Sequence, residues 1–396
     1  MSGPRSSTAP FEASQPATPL ALSRVAVSAL FFLCGLTGSS WISRIPEVQA
    51  KLGLENGALG LALLSSTVGA VVAMPLAGLG VARFGSQHMS RAIALVVCFA
   101  LPFPAFATSL PTLVLGLFAF GAAGGSLGVA MNAQAVLVER RTARPIMSSF
   151  HAAFSVGGLC GAGLGSLLAG VGAKPTVHLG AIALLALTAL SFVWRLLPND
   201  HQVRLEKSRF ALRLPNRALV ALGVLSLCGM IGEGAVADWS GVYLRSELHA
   251  GAGLAASGYT AFSFAMAGTR FFGDRLAARL GAVRLLRASG ALAVLGLLIT
   301  LTSQQASTAL FGFACIGAGF AGVIPTIFSA AGRVPGVSPA YALATVTTLG
   351  YAGFLAGPPS IGFASEVLGL RGALAILLAT SALIVVLSRF VAEPKP

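Results

Sequence analysis

Long apolar runs alternate with short polar breaks from about residue 22 to the end of the chain. Many of these runs reach the ~20 residues that a helix needs to cross a bilayer's hydrocarbon core. The pattern predicts twelve spans, near 22–43, 57–80, 91–108, 112–137, 147–171, 177–195, 218–244, 254–273, 288–302, 307–330, 340–365 and 372–389. No small-residue cleavage site follows a short apolar region in the first run, so it is predicted to be a retained span and not a signal peptide. The segment before it, residues 1–21, is rich in Ser, Pro, Thr and Ala, a composition that favours a disordered tail.

The longest polar stretch between spans is PNDHQVRLEKSRFALRLPNR, residues 198–217, near the midpoint of the chain. It is predicted to link an N-terminal six-helix half (22–197) to a C-terminal one (218–391), with a short tail at 392–396. The halves are related in sequence. Trp41 aligns with Trp239 and Gly60 with Gly258 at an offset of 198, and ARFG (82–85) aligns with ARLG (278–281) at 196. The same 196 places Gly121 on Gly317, Gly157 on Gly353 and Gly161 on Gly357. Parallel repeats of this kind are a transporter architecture, with the solute site near the membrane midplane between the halves.

Composition agrees with an all-α polytopic membrane protein. Of 396 residues, 56% are hydrophobic and 10% charged, where a soluble domain carries roughly a quarter charged residues. Cys34, Cys98, Cys160, Cys228 and Cys315 all fall inside predicted spans and form no C-x-x-C pair. They are expected to be reduced, buried small hydrophobes, with no metal framework. The net charge of +14 is explained by its distribution. With the N-terminus inside, the cytoplasmic segments hold twenty Lys and Arg, the external loops hold Arg44, Lys51, Lys174, Arg245 and Arg371, and Arg270 lies within a span. This asymmetry predicts cytoplasmic termini, and it removes the need for a nucleic-acid partner.

Twelve spans, a basic central linker and a short Arg/Gly loop after the second span of each half resemble the major facilitator superfamily. The segments WISRIPEVQAKLGL, GVAMNAQA, SSFHAAFSVGGLCGA, EGAVADWSGVYL and RFFGDRLAARLG are similar to its bacterial YbjJ-like branch, related to the fucose-permease group. The resemblance implies two pseudo-symmetric six-helix bundles, with spans 3, 6, 9 and 12 facing lipid and the others around a cavity. In accord with it, the interior ionisable groups His151, Glu233, Asp238 and Arg270 fall on spans 5, 7 and 8. A charge at the bilayer centre costs at least about 2.5–3.5 kcal/mol, so only cavity helices should carry one.

The chain also departs from the family pattern. The loop after span 2, GLGVARFGSQ, has Ala82 where the family carries Asp and Ser86 where it carries Arg; Ala278 stands at the corresponding place in the second half. A charge latch at these loops, with Arg83 and Arg279, would therefore need other partners, for which Arg270 and Asp274 are candidates. Leu117 occupies the position of the drug-antiporter arginine, and Ala162 replaces the proline of the antiporter motif in span 5. Both departures disfavour a drug/proton antiporter.

Glu233, about 15 residues into span 7 at ~1.5 Å per residue, is predicted near the membrane centre. Flanking Gly232 and Gly234 should weaken the helix and allow close backbone approach, as in discontinuous transporter helices. Glu233 is the leading proton-coupling or substrate residue; a structural carboxylate is the competing reading. Asp238, about 140° further around the helix, is a gating candidate paired with Arg44, or else a cap. His151 with Asn132 could titrate during transport or could fix helix packing. Trp41, Trp239 and Tyr351 could stack on a solute, or serve as interfacial belt residues. The doublet Pro358-Pro359 should bend span 11.

GGSLG (124–128) matches a hydrolase nucleophile pattern but lies in an apolar helix, not at a strand-turn-helix, so no enzyme is expected. No phosphate-binding G-x-x-x-x-G-K-[ST] sequence is present, and no cofactor or metal is expected. The sequence therefore predicts a monomeric secondary transporter of the bacterial inner membrane. It would move a small polar solute, such as a sugar or organic acid, by alternating access and proton symport. Proton-coupled efflux of a metabolite or drug is the alternative, and a sensor or scaffold without flux is a third reading.

Overall fold

Backbone N–H and C=O groups in hydrocarbon can find partners only along their own helix or in a closed barrel, and this chain takes the helical solution. The computed structural model describes residues 19–142, 146–199, 217–335, 337 and 339–392. Most of the linker expected at 198–217 and the outer parts of both tails lie outside these residues.

The membrane helices are α1 (Leu20–Ile42), α2 (Asn56–Phe84), α3 (Ser86–Ala100), α4 (Leu110–Thr142), α5 (Met147–Gly170) and α6 (Pro175–Val193) in the first half. The second half has α7 (Arg217–Ser246), α8 (Ala252–Phe271), α9 (Ala282–Thr302) and α10 (Ala306–Phe320, resuming as Val323–Ala331). The long helix Pro339–Leu374 turns at Gly369 (φ 71°, ψ 162°). Its part up to residue 368 is α11, and the rest continues through Ile376–Leu387 as α12. Among the described residues nine helices are long and apolar enough to cross a membrane, and the bent pair is a tenth unit. That pair supplies two passes. The twelfth is α8, which is more polar because it carries Ser, Thr, Tyr and Arg270 along its length. The result is two pseudo-symmetric six-helix bundles with both termini at one end.

Two features repeat between the halves at the 196 offset read from sequence. Gly85 and Gly281 (281 − 85 = 196) close the ARFG and ARLG loops with φ of 83° and 73° and ψ near 155°, a backbone region essentially confined to glycine. Gly121 of α4 lies against the backbone carbonyl of Ser66 on α2, and Gly317 of α10 lies against that of Phe262 on α8. Here 317 − 121 and 262 − 66 both equal 196. A single methyl at either glycine would collide with backbone, so the register of the repeat is fixed by close helix packing. The Pro358-Pro359 doublet leaves α11 with helical dihedrals; the turn in that helix is at Gly369.

The halves meet at the end away from the termini, the far end. The start of α2 crosses the end of α11, where Gly57 packs against Glu366 and Gly362 against the Asn56 carbonyl. The start of α8 crosses the end of α5, where Gly253 packs on Gly170 and the Ser166 carbonyl. These crossings are copies of one another, since 253 − 57, 366 − 170 and 362 − 166 all equal 196. The hydroxyls of Ser166 and Thr260 add an inter-half hydrogen bond of 3.0 Å. Helices α3, α6, α9 and α12 pack on helices of their own half.

The first half is also stapled at the far end by Arg44, which is fully buried. Its Nε donates to Nδ1 of His178 on α6 at 2.8 Å. Its Nη1 donates to Glu47 at 2.5 Å and to the carbonyl of Ala173 at 3.2 Å. One guanidinium thus ties the helix Ile45–Leu52 to the α5–α6 turn and to α6.

Both kinds of packing can be checked by substitution. Gly121→Ala and Gly317→Ala should each lower the thermal midpoint of the detergent-solubilised protein, at a cost of about 1–3 kcal/mol for overpacking. Gly124→Ala, with open space at its Cβ position, should leave the midpoint unchanged or raise it slightly. Arg44→Ala should cost about 3 kcal/mol or more, because it strands Glu47 and His178. Arg44→Lys should recover only part of this, since an ammonium cannot reproduce the fork.

Candidate functional site

Helix α7 runs unbroken through GMIGEGAVADWSG, with helical geometry from Arg217 to Ser246. The two glycines beside Glu233 therefore do not interrupt it, contrary to the sequence expectation of a weakened helix. They provide clearance. The ring of Phe320 on α10 occupies the space a side chain at Gly232 would need, and the ring of Phe354 on α11 does the same at Gly234. The two glycines thus let α7 approach α10 and α11 closely on either side of the Glu233 position.

The interruption lies in α10 instead. Ala321 and Gly322 separate Ala306–Phe320 from Val323–Ala331. In a continuous helix the Ala321 carbonyl would accept from the amide four residues on, but that residue is Pro325, which has no N–H. The orphaned carbonyl accepts from Nε of Arg270 on α8 at 3.3 Å. The same guanidinium places Nη2 3.7 Å from Oε1 of Glu233, too long for a good hydrogen bond. Oε1 has no hydrogen-bond partner. One arginine thus joins α7, α8 and the break in α10.

The pair is not sealed. The Glu233 side chain keeps 21% and the Arg270 side chain 38% of its surface accessible. Tyr259, on α8, lies near both charges and faces Ser263 and, across the interface between halves, Ser39 of α1. His151 of α5 is exposed, within electrostatic reach of Arg270, and sits edge-on to Phe31 with ring centroids 5.3 Å apart. A carboxylate of α7 and a guanidinium of α8 therefore lie together, with a phenol of α8 and an imidazole of α5 within electrostatic reach.

Other residues singled out from sequence are placed elsewhere. Asn132 donates to the Gly128 carbonyl of its own helix at 2.8 Å, not to His151. Asp238 is half-buried and makes no hydrogen bond to a described residue; Arg44 pairs with Glu47 in place of Asp238. Trp41 and Trp239 are buried inside the protein, so neither forms an interfacial belt nor offers a face to a solute in this conformation. Tyr351 is partly exposed and packs on Phe354 at 6.0 Å. Arg83 and Arg279 are exposed in the last turns of α2 and of the helix Gly273–Leu280, Arg83 over the Phe84 ring at 5.3 Å. Arg270 is engaged by Glu233 and Ala321; Asp274 begins the helix Gly273–Leu280, and its side chain lies outside the described residues.

Sequence reasoning named Glu233 and Arg270 but missed their pairing, and it missed Pro325 and His178. Pro325, inside an apolar span, was the signal for the α10 break. Arg270 and Glu233 both sit within adjacent spans, where a lone charge needs a counter-charge, and that pairing could have been drawn. His178, four residues into α6, was the available partner for the far-end arginine. Among the described residues no group of three or more His, Cys, Asp or Glu could hold a metal.

The model describing the Major Facilitator Superfamily matches residues 27–339. The chain is 34% identical over 365 residues to an uncharacterised MFS-type transporter of Yersinia pestis, covering 91% of this chain and 94% of that one. It is 34% identical over 375 residues to the membrane protein MosC of Rhizobium meliloti, covering 93% and 90%. Among solved structures it is similar in fold to a mutant of the nucleoside transporter NupG, with a TM-score of 0.75, 14% identity and coverage of 92% and 98%. A bacterial homologue of the human lysosomal transporter Spinster, in an inward-facing and occupied conformation, gives a TM-score of 0.67, 14% identity and coverage of 96% and 97%. Twelve helices in two related bundles, a family model that matches residues 27–339 and relatives matched over nine-tenths of their length lead to one assignment: the chain belongs to the major facilitator superfamily of membrane transporters.

Proposed function

We propose that this chain is a proton-coupled symporter of the bacterial inner membrane. It would take up a small polar organic solute, such as a sugar or organic acid, by alternating access, as a monomer with both termini in the cytoplasm. The observation that carries the reading is the Glu233–Arg270 pair. A structural ion pair in hydrocarbon is expected to be enclosed and fully hydrogen-bonded. This one is stretched to 3.7 Å and partly accessible, and its arginine has a second acceptor ready in the Ala321 carbonyl.

Such a pair can take and release a proton at low cost to the fold. When Glu233 is protonated, no bare carboxylate is left in the interior, and Arg270 keeps one hydrogen bond at the α10 break. The change reaches α8, the helix that crosses α5 of the other half at the far end. Protonation can therefore be felt at an inter-half crossing, which is what alternating access requires. The excess of Lys and Arg at the termini end supports the far end as periplasmic. On that assignment the crossings described above close the outer side, and the site faces the cytoplasm.

Proteoliposome flux with an imposed pH gradient tests the reading. Glu233→Gln, which mimics the protonated acid, should abolish uphill accumulation, by about a hundredfold or more if one coupling step carries ~2.7 kcal/mol. Exchange of solute between equilibrated compartments should persist. Accumulation by the Gln variant at the wild-type level would remove Glu233 from coupling.

A further inference from the structure

The charge arithmetic of the site goes one step further, resting on the coupling role just given to Glu233. Among the described residues, the titratable groups within electrostatic reach of the Glu233–Arg270 pair are Tyr259 of α8 and His151 of α5. Asp238 points to another face of α7, five residues and about 140° on. With Glu233 ionised, the one fixed cation has one fixed anion. With Glu233 protonated, Arg270 has none, and the Ala321 carbonyl satisfies only its Nε. The terminal nitrogens then present an uncompensated planar guanidinium to a partly accessible space.

We propose that the transported solute carries a single carboxylate, which takes the place of Glu233 on Arg270 when Glu233 is protonated. The guanidinium fork matches a carboxylate in shape as well as charge. A neutral polyol could hydrogen-bond to Arg270 but would leave its charge uncancelled in a low-dielectric site. A dianion such as a phosphate monoester would bring more negative charge than one arginine offsets. One proton and one carboxylate enter together, Glu233 holds the proton, Arg270 holds the anion, and the loaded carrier moves no net charge.

Acetate, the smallest stable alkyl carboxylate, serves as the probe. Glu233→Gln in lipid nanodiscs leaves Arg270 without its anion, and sodium acetate is titrated while thermal unfolding is followed. The midpoint should rise saturably with acetate, wild type should need at least about tenfold more acetate for the same rise, and Glu233→Gln/Arg270→Gln should not respond. Acetamide should have no effect, and chloride far less than acetate. Should the Gln variant fail to fold, Glu233→Ala leaves the same guanidinium unpaired and takes its place. An equal response in the double variant, no response in the single one, or chloride matching acetate would each overturn the proposal. Lost accumulation in Glu233→Gln without an acetate response would remove the carboxylate while leaving proton coupling in place.

Discussion

Hydrocarbon offers no hydrogen-bond partner and no screening to anything placed in it, and the fold is organised around that constraint. Each backbone carbonyl must be met within its helix, and each charge must be met by another group. The long helices satisfy the first demand almost everywhere. Where Pro325 removes an amide, a carbonyl is left over, and the chain answers with Arg270. Where an arginine then stands in a span, Glu233 answers it. The far end obeys the same logic. Arg44, fully buried, directs its Nε and Nη1 donors to His178, Glu47 and the Ala173 carbonyl.

The two arginine sites differ in a way that matches different duties. Arg44 is enclosed, and its contacts are short and lie within one half, so it fixes the position of the α1–α2 segment against α6. Arg270 is partly open, its contact with Glu233 is long, and its helix crosses into the other half near Gly253 and Thr260. The first arrangement resists change, whereas the second can exchange partners. Packing follows a similar division. Gly121 and Gly317 lock helices inside each half, while the copied crossings at Gly57 and Gly253 join the halves at the far end.

Much of the architecture was legible in the sequence because it rests on periodic and compositional signals. Apolar run lengths marked the spans, and a near-constant glycine register marked the repeat. That register recurs as physical contacts, with Gly121 on Ser66 and Gly317 on Phe262. The polar partners were less legible, because a single sequence does not say which helices are neighbours. Glu233 stood out as an acid in an apolar run, but its partner lies 37 positions away (270 − 233 = 37) on another helix. Arg44 was matched with Asp238 by depth alone, while the structure gives it His178, on a helix whose approach the repeat register did not encode. The glycines beside Glu233 suggested a break in α7, yet they make room for Phe320 and Phe354, and proline breaks α10 instead.

The central claim is that Glu233 and Arg270 act as one charge unit joining α7 and α8. A double-mutant cycle on stability in nanodiscs, without solute, addresses it most directly. Glu233→Gln leaves a bare cation and Arg270→Gln a bare carboxylate, so each should lower the thermal midpoint. Glu233→Gln/Arg270→Gln, which leaves neither, should recover part of the loss, with a coupling within the roughly 0.5–3 kcal/mol seen for residues in contact. Strictly additive losses in the double variant would mean that the two side chains do not depend on each other, and would contradict the account.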